Sequence, residues 1–114
     1  MISRKNRFHG YGSLKYVYRH GQTVRGPLFS IKSVPNTQRP DWRLSVVISR
    51  KVHASAVGRN RVRRRLYEAV RQYADQIDKP YDIVLTVFHD SVLETPAEEL
   101  DKQIKKQLVQ AGII

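Results

Sequence analysis

The chain has 114 residues, 40% of them apolar, with 21 Lys and Arg against 10 Asp and Glu, no cysteine and a formal net charge of +11. That length suits one hydrophobic core rather than two, and the apolar content excludes global disorder. The lack of cysteine excludes disulfides and thiolate metal sites, no run approaches a membrane span, and the basic N-terminus is not followed by the apolar stretch of an export signal, so the expectation is one cytoplasmic domain over residues 1–114.

The first seven residues, with Arg4, Lys5 and Arg7, read as a flexible basic arm able to reach phosphates or as an ordinary terminus. A short helix follows: Ser13 is placed as its cap, Leu14, Val17 and Tyr18 recur on one side, and Gly21 ends it. Thr23 to Gly26 is a candidate short strand. Leu28 to Val34, with Phe29 and Ile31 alternating, is a stronger one, and Pro35-Asn36 turns it into a polar loop reaching Asp41. Trp42 then anchors the core or an edge, and Arg43 to Ser49 forms a strand expected to pair with Leu28–Val34 as an antiparallel hairpin.

A basic helix is predicted from about Ser55 to Ile77, and Lys79-Pro80 separates it from a strand over Tyr81 to Phe88. The last helix is predicted to start with a capping box, Thr95 as cap, Pro96 in the first helical position and Glu98 three residues after the cap. Leu100, Ile104 and Leu108 form its buried stripe, and Gly112 its stop. The sum is an α+β domain with a small sheet of about four strands and three helices, in the order α-β-β-β-α-β-α.

Charge is distributed unevenly along this order. Residues 1–71 hold 17 Lys and Arg against 2 acids, and residues 72–114 hold 4 against 8. So one-sided a field favours a polyanionic partner, with binding that weakens as salt rises. The basic helix concentrates it. Val62, Leu66, Ala69, Val70, Tyr73 and Ile77 recur at steps of three and four and fall on one side, while Asn60, Arg64, Tyr67 and Arg71 project opposite, flanked by Arg61, Arg63 and Glu68. Glu68 is expected to pair with Arg64, one turn earlier.

Ser49-Arg50-Lys51 at the end of a strand, followed by Ala56-Val57-Gly58-Arg59-Asn60-Arg61-Val62-Arg63-Arg64 on a helix, resembles the signature of the bacterial ribonuclease P protein subunit family, and nearly the whole chain can be aligned with it. The resemblance implies a compact α/β sandwich around a shallow cleft, with a left-handed β-α-β crossover, although parallel strands are joined right-handedly in about 98% of cases. It implies a partner of the catalytic ribonuclease P RNA in removing the 5′ leader of precursor tRNA. The protein would supply no catalytic residue, bind no cofactor or metal of its own and take no small-molecule substrate, the Mg2+ being held by the partner RNA.

By the same resemblance Arg50, Lys51, Arg59, Asn60, Arg61, Arg63 and Arg64 contact RNA, the arginines at phosphates. The family's two aromatic leader-cleft positions on the first helix fall on Leu14 and Tyr18. An isobutyl group cannot supply the roughly 1–3 kcal/mol of a ring stacked on an unpaired base. Phe29 is a further platform or simply core, and Lys32 stands where some members have an aromatic. Tyr67 occupies a position where the family commonly has Arg. Two other readings fit the composition: a ribosomal-type structural RNA-binding protein, and a metal-dependent nuclease using Asp82, Asp90 and Glu94 near the C-terminal end of the last strand.

Overall fold

A computed structural model of the chain describes residues 4–8 and 11–114. Helix α1 spans Tyr11–His20, strands β1 Gln22–Arg25, β2 Phe29–Pro35 and β3 Arg43–Val47, helix α2 Ala56–Arg71, strand β4 Tyr81–Val87 and helix α3 Ala97–Gln110, with short 3-10 turns at Arg4–Asn6, Ala74–Gln76 and Asp90–Leu93. The four strands form one mixed sheet in the order β1-β2-β4-β3.

The expected hairpin between the second and third strands does not form. β4 lies between them, antiparallel to β2 with Ile31 opposite Leu85, and parallel to β3 with Val46 opposite Leu85. The hairpin is instead β1–β2, with Val24 opposite Ile31. The physical reason lies in burial: β4 reads buried at five of seven positions, including Ile83, Val84 and Leu85 in a row, so it needs cover on both faces and a strand on both sides.

Each face of the sheet carries its own core. On one, Phe29, Ile31, Leu44, Val46, Ile83 and Leu85 pack against Val62, Leu66 and Val70 of α2 and Leu100, Ile104 and Leu108 of α3. On the other, Val34 and Val84 meet Val17 of α1 and Phe8, with Leu14 and Val47 at the margin. Trp42 is buried in the larger core, and its carbonyl accepts a hydrogen bond from Asn6 Nδ2 at 2.7 Å.

That bond belongs to a correction at the N-terminus. Asn6 and Phe8 are buried, Arg7 forms a bridge with Leu44, and Phe8 N donates to the Leu44 carbonyl at 3.2 Å. The segment expected to be a loose arm thus pairs with the outer edge of β3 at Leu44, where the strand would otherwise present unpaired backbone groups. Residues 1–3 of the expected arm lie outside the described residues.

Three end signals also differ. Ser13 sits inside α1, which begins two residues earlier. α2 stops at Arg71, and only a 3-10 turn continues toward Ile77. The N-cap of α3 is Pro96, whose ring has no atom to cap with, and the Thr95 hydroxyl donates to the Ser91 carbonyl at 2.8 Å. Ser55 caps α2, its Oγ accepting from Gly58 N, and Gly112 ends α3 at φ +75°, a backbone conformation few other residues adopt.

Candidate nucleic-acid interface

α2 sorts its charged side chains by angle. The apolar stripe of Val62, Leu66, Ala69 and Val70 is buried against the sheet, and Asn60, Arg61, Arg64 and Arg71 are exposed on the outward ridge. Arg63 lies half-buried on one flank and donates to Asn60 Oδ1 at 2.7 Å, so part of the Asn60 amide is held within the helix. Glu68 pairs with Arg71, its Oε2 at 3.0 Å from Nε.

Two arginines of the run also serve the fold. Arg59 Nη1 donates to the carbonyls of His53 and Ala54 at 2.9 and 2.8 Å, which clamps the turn carrying Arg50 and Lys51 onto the first turn of α2. Both residues of that basic pair are exposed. Gly58 permits the clamp, since a Cβ there would stand 2.0 Å from the His53 ring. On the opposite flank Arg65 donates to the carbonyls of Val92 and Leu93 at 2.6 and 2.8 Å and to that of Thr95. It ties α2 to the segment that leads into α3. The motif assigns Arg65 no role, although its place beside Ala69 at the border of the buried stripe signals a side chain leaning inward.

Beside the ridge a groove of ≈ 820 Å³ runs over the outer edge of β3. It is lined by Arg4 and Arg7 from the N-terminal segment, Arg63 from α2, and Leu14 and Tyr67 from the two helices. Tyr67 was expected on the exposed side of α2 but is buried. Its hydroxyl is hydrogen-bonded to the Val46 backbone, so the ring lies back across the edge strand and covers it. Burial pushes the phenol pKa above 10.0, opposed by that hydrogen bond and by the nearby Arg63 and Arg7 charges.

The four cleft residues named from the sequence separate. Leu14 lines the groove, and Tyr18, one turn on, is 44% exposed, its ring accessible. Lys32 is half-buried beside Gly21. Phe29 is fully buried in the core on the other face of the sheet, because strand alternation puts it with Ile31 and away from α1, so it offers no stacking surface. Of the basic-arm residues, Arg4 and Lys5 are exposed, and Lys5 reaches Asp41 at 3.8 Å.

The carboxylates proposed for a metal nuclease do not converge. Asp82 stands at the start of β4, where Arg43 Nε and Nη2 donate to it at 2.8 and 2.7 Å and Asn36 Nδ2 at 2.9 Å. Asp90 and Glu94 come after the end of that strand. Among the described residues no three His, Asp or Glu side chains gather as a metal site.

The sequence profile described as Ribonuclease P matches residues 2–112 of the chain. The chain belongs to the ribonuclease P protein family. Among similar relatives, the ribonuclease P protein component of Picosynechococcus is 30% identical over 98% of this chain and 95% of its own length. That of Chloroflexus aurantiacus is 36% identical over 86% of this chain and 71% of its own length. Solved structures share the fold. The Staphylococcus aureus RNase P protein superposes with a TM-score of 0.83 at 19% identity, covering 95% of this chain and 96% of that one. The Thermotoga maritima RNase P protein gives 0.79 at 20%, covering 91% and 96%.

Proposed function

We propose that the chain is the protein subunit of a ribonuclease P ribonucleoprotein in the bacterial cytoplasm, where it docks on the catalytic RNA and holds the 5′ leader of precursor tRNA. The observation that carries this reading is the adjacency of two differently built surfaces. The exposed ridge of α2 presents Arg61 and Arg64 with Arg50 and Lys51 at its base, a rigid array of cations suited to a folded RNA backbone. The neighbouring groove joins the apolar side chains of Leu14, Val46, Val47, Ile48 and Tyr67 to three arginines, which suits an unpaired strand whose phosphates meet the arginines while its bases lie on the apolar wall.

In this reading the protein contributes position and charge rather than bond-breaking groups. The RNA holds the Mg2+ ions and the attacking water. The subunit offsets repulsion between two polyanions, so less Mg2+ is needed when it is bound. Leu14 supplies an apolar wall without a ring and Tyr67 a second wall against β3, while Tyr18, exposed one turn along α1 from Leu14, supplies an aromatic face outside the groove lining. A ribosomal-type structural role would use the ridge and leave the groove without purpose.

The test is reconstitution of the full chain with a bacterial ribonuclease P RNA. Cleavage of a leader-bearing precursor at a Mg2+ concentration where the RNA alone is slow should be restored by this chain and not by an unrelated basic protein of equal charge. Equal rescue by both would leave only generic charge neutralisation.

A further inference from the structure

At the opposite edge of the sheet, between the β1–β2 turn and α3, lies a second groove of ≈ 330 Å³ that shares no residue with the first. Arg25, Lys102 and Lys106 line it against one acid, Glu99. The Arg25 guanidinium is held over the Phe88 ring, 4.9 Å from its centroid, so a planar cation is fixed at the groove wall.

The floor shows that this is more than a charged surface. Gln107 is only 3% exposed and its Nε2 donates to the Phe29 carbonyl at 2.9 Å, which fixes the amide so that Oε1 is the acceptor. Gly26 makes room for it, since a Cβ there would stand 2.2 Å from Nε2. Oε1 is buried and has no protein partner, and the same holds for Oε1 of Gln103, one turn earlier on α3 and lining the same groove. Two buried acceptors one turn apart on α3 call for a ligand with neighbouring N–H donors, since a buried carbonyl left unpaired is costly. The surrounding cations call for an anionic group on the same ligand.

We propose that this groove is a second RNA contact that takes one unpaired nucleotide. The base edge donates to Gln103 and Gln107, the ring stacks on Arg25, and the phosphate meets Lys102 and Lys106. A guanine edge, with its N1–H beside the N2 amino group, offers the two donors these acceptors require. The volume sits at the lower end of small-ligand sites, roughly 300 Å³, as one nucleotide requires. This rests on the reading of the chain as an RNA-binding subunit but uses none of the residues of the β3 groove or the α2 ridge. The two grooves lie at opposite edges of the sheet, one beside β3 and one beside β1, so the subunit would hold two RNA segments at once.

The experiment is a titration of the isotopically labelled full chain, followed by amide chemical shifts, with guanosine 5′-monophosphate, ribose 5-phosphate and a short single-stranded RNA in separate arms. The mononucleotide should shift Gly26, residues 102–110 and the Gln107 side-chain amide, at least tenfold more tightly than ribose 5-phosphate. The exposed double variant Lys102→Ala, Lys106→Ala should weaken it at least tenfold at unchanged thermal stability. It is preferred to Gln107→Leu, which would also break the bond to Phe29. Equal binding of ribose 5-phosphate, or no shift around Gln107, overturns the proposal. RNA shifts confined to α2 and the β3 groove would overturn it while leaving the subunit function standing; shifts in neither region would remove both.

Discussion

Neighbouring arginines of α2 should separate cleanly on mutation. Arg65 commits its guanidinium to three backbone carbonyls, those of Val92, Leu93 and Thr95, whereas Arg61 and Arg64 are exposed on the ridge. A hydrogen bond to a charged group contributes roughly 1.5–3 kcal/mol, and because Arg65 is half-exposed its bonds do not add fully. Arg65→Ala should therefore cost about 2–4 kcal/mol, which in a domain of this size lowers Tm by about 8–16 °C. Arg61→Ala with Arg64→Ala should leave stability within about 0.5 kcal/mol. Removing one cation from a phosphate flattens the dependence of log K on log salt by about 0.7 for single strands and 0.9 for duplex, so the double variant should lower the slope by about 1.4–1.8. Thermal denaturation and RNA affinity at several salt concentrations read both quantities. The reasoning is refuted if Arg65→Ala flattens the salt slope at unchanged Tm, or if the double variant unfolds the protein and leaves the slope alone.

Other outcomes follow from the same arrangement. Asp82→Ala strands a largely buried Arg43 beneath the Phe8 ring and should destabilise by about 3–5 kcal/mol in chemical denaturation, with Asn36→Ala, which removes a single bond to the same carboxylate, costing less. Leu14→Phe should strengthen leader binding by about 1 kcal/mol, roughly fivefold, if the ring stacks on a base, measured with precursors that differ only in having a leader. Burial raises the pKa of Tyr67, and burial together with the Asp101 hydrogen bond raises that of Tyr73. A raised folded-state pKa means the folded protein binds more protons, so their contribution is complete below pH 10 and is lost as pH climbs through the folded values. The stability of the Tyr67→Phe, Tyr73→Phe variant should fall less steeply above pH 10, as followed by urea midpoints.

How far the sequence was legible depends on the range of each signal. The helix positions and the α2 stripe followed from local periodicity, and the stripe from Val62 to Val70 is buried as spacing requires. Strand pairing did not follow, because nothing local in β3 says whether its neighbour is β2 or β4. Thr95 misled for a similar reason: its hydroxyl suits a cap, but the cap position falls one residue later, at Pro96, and the hydroxyl turns back to the Ser91 carbonyl. At the interface, the motif named the arginines and could not sort them, since only the position of the Asp90–Leu93 turn and the following chain makes Arg65 structural. Tyr67 was misplaced because a helical wheel has no knowledge of an uncovered strand edge. Phe29 carried an alternation legible as core or platform, and the side of the sheet that α1 occupies decides it as core.

The central claim is that the groove between α1, β3 and α2 seats an unpaired leader while the ridge grips the ribozyme. Its most direct test is the affinity of the reconstituted particle for precursor tRNA as the leader is shortened nucleotide by nucleotide. The account predicts that affinity falls with each of the nucleotides nearest the cleavage site, and that this dependence disappears when the RNA acts without the protein. Affinity indifferent to leader length in the complete particle would contradict it.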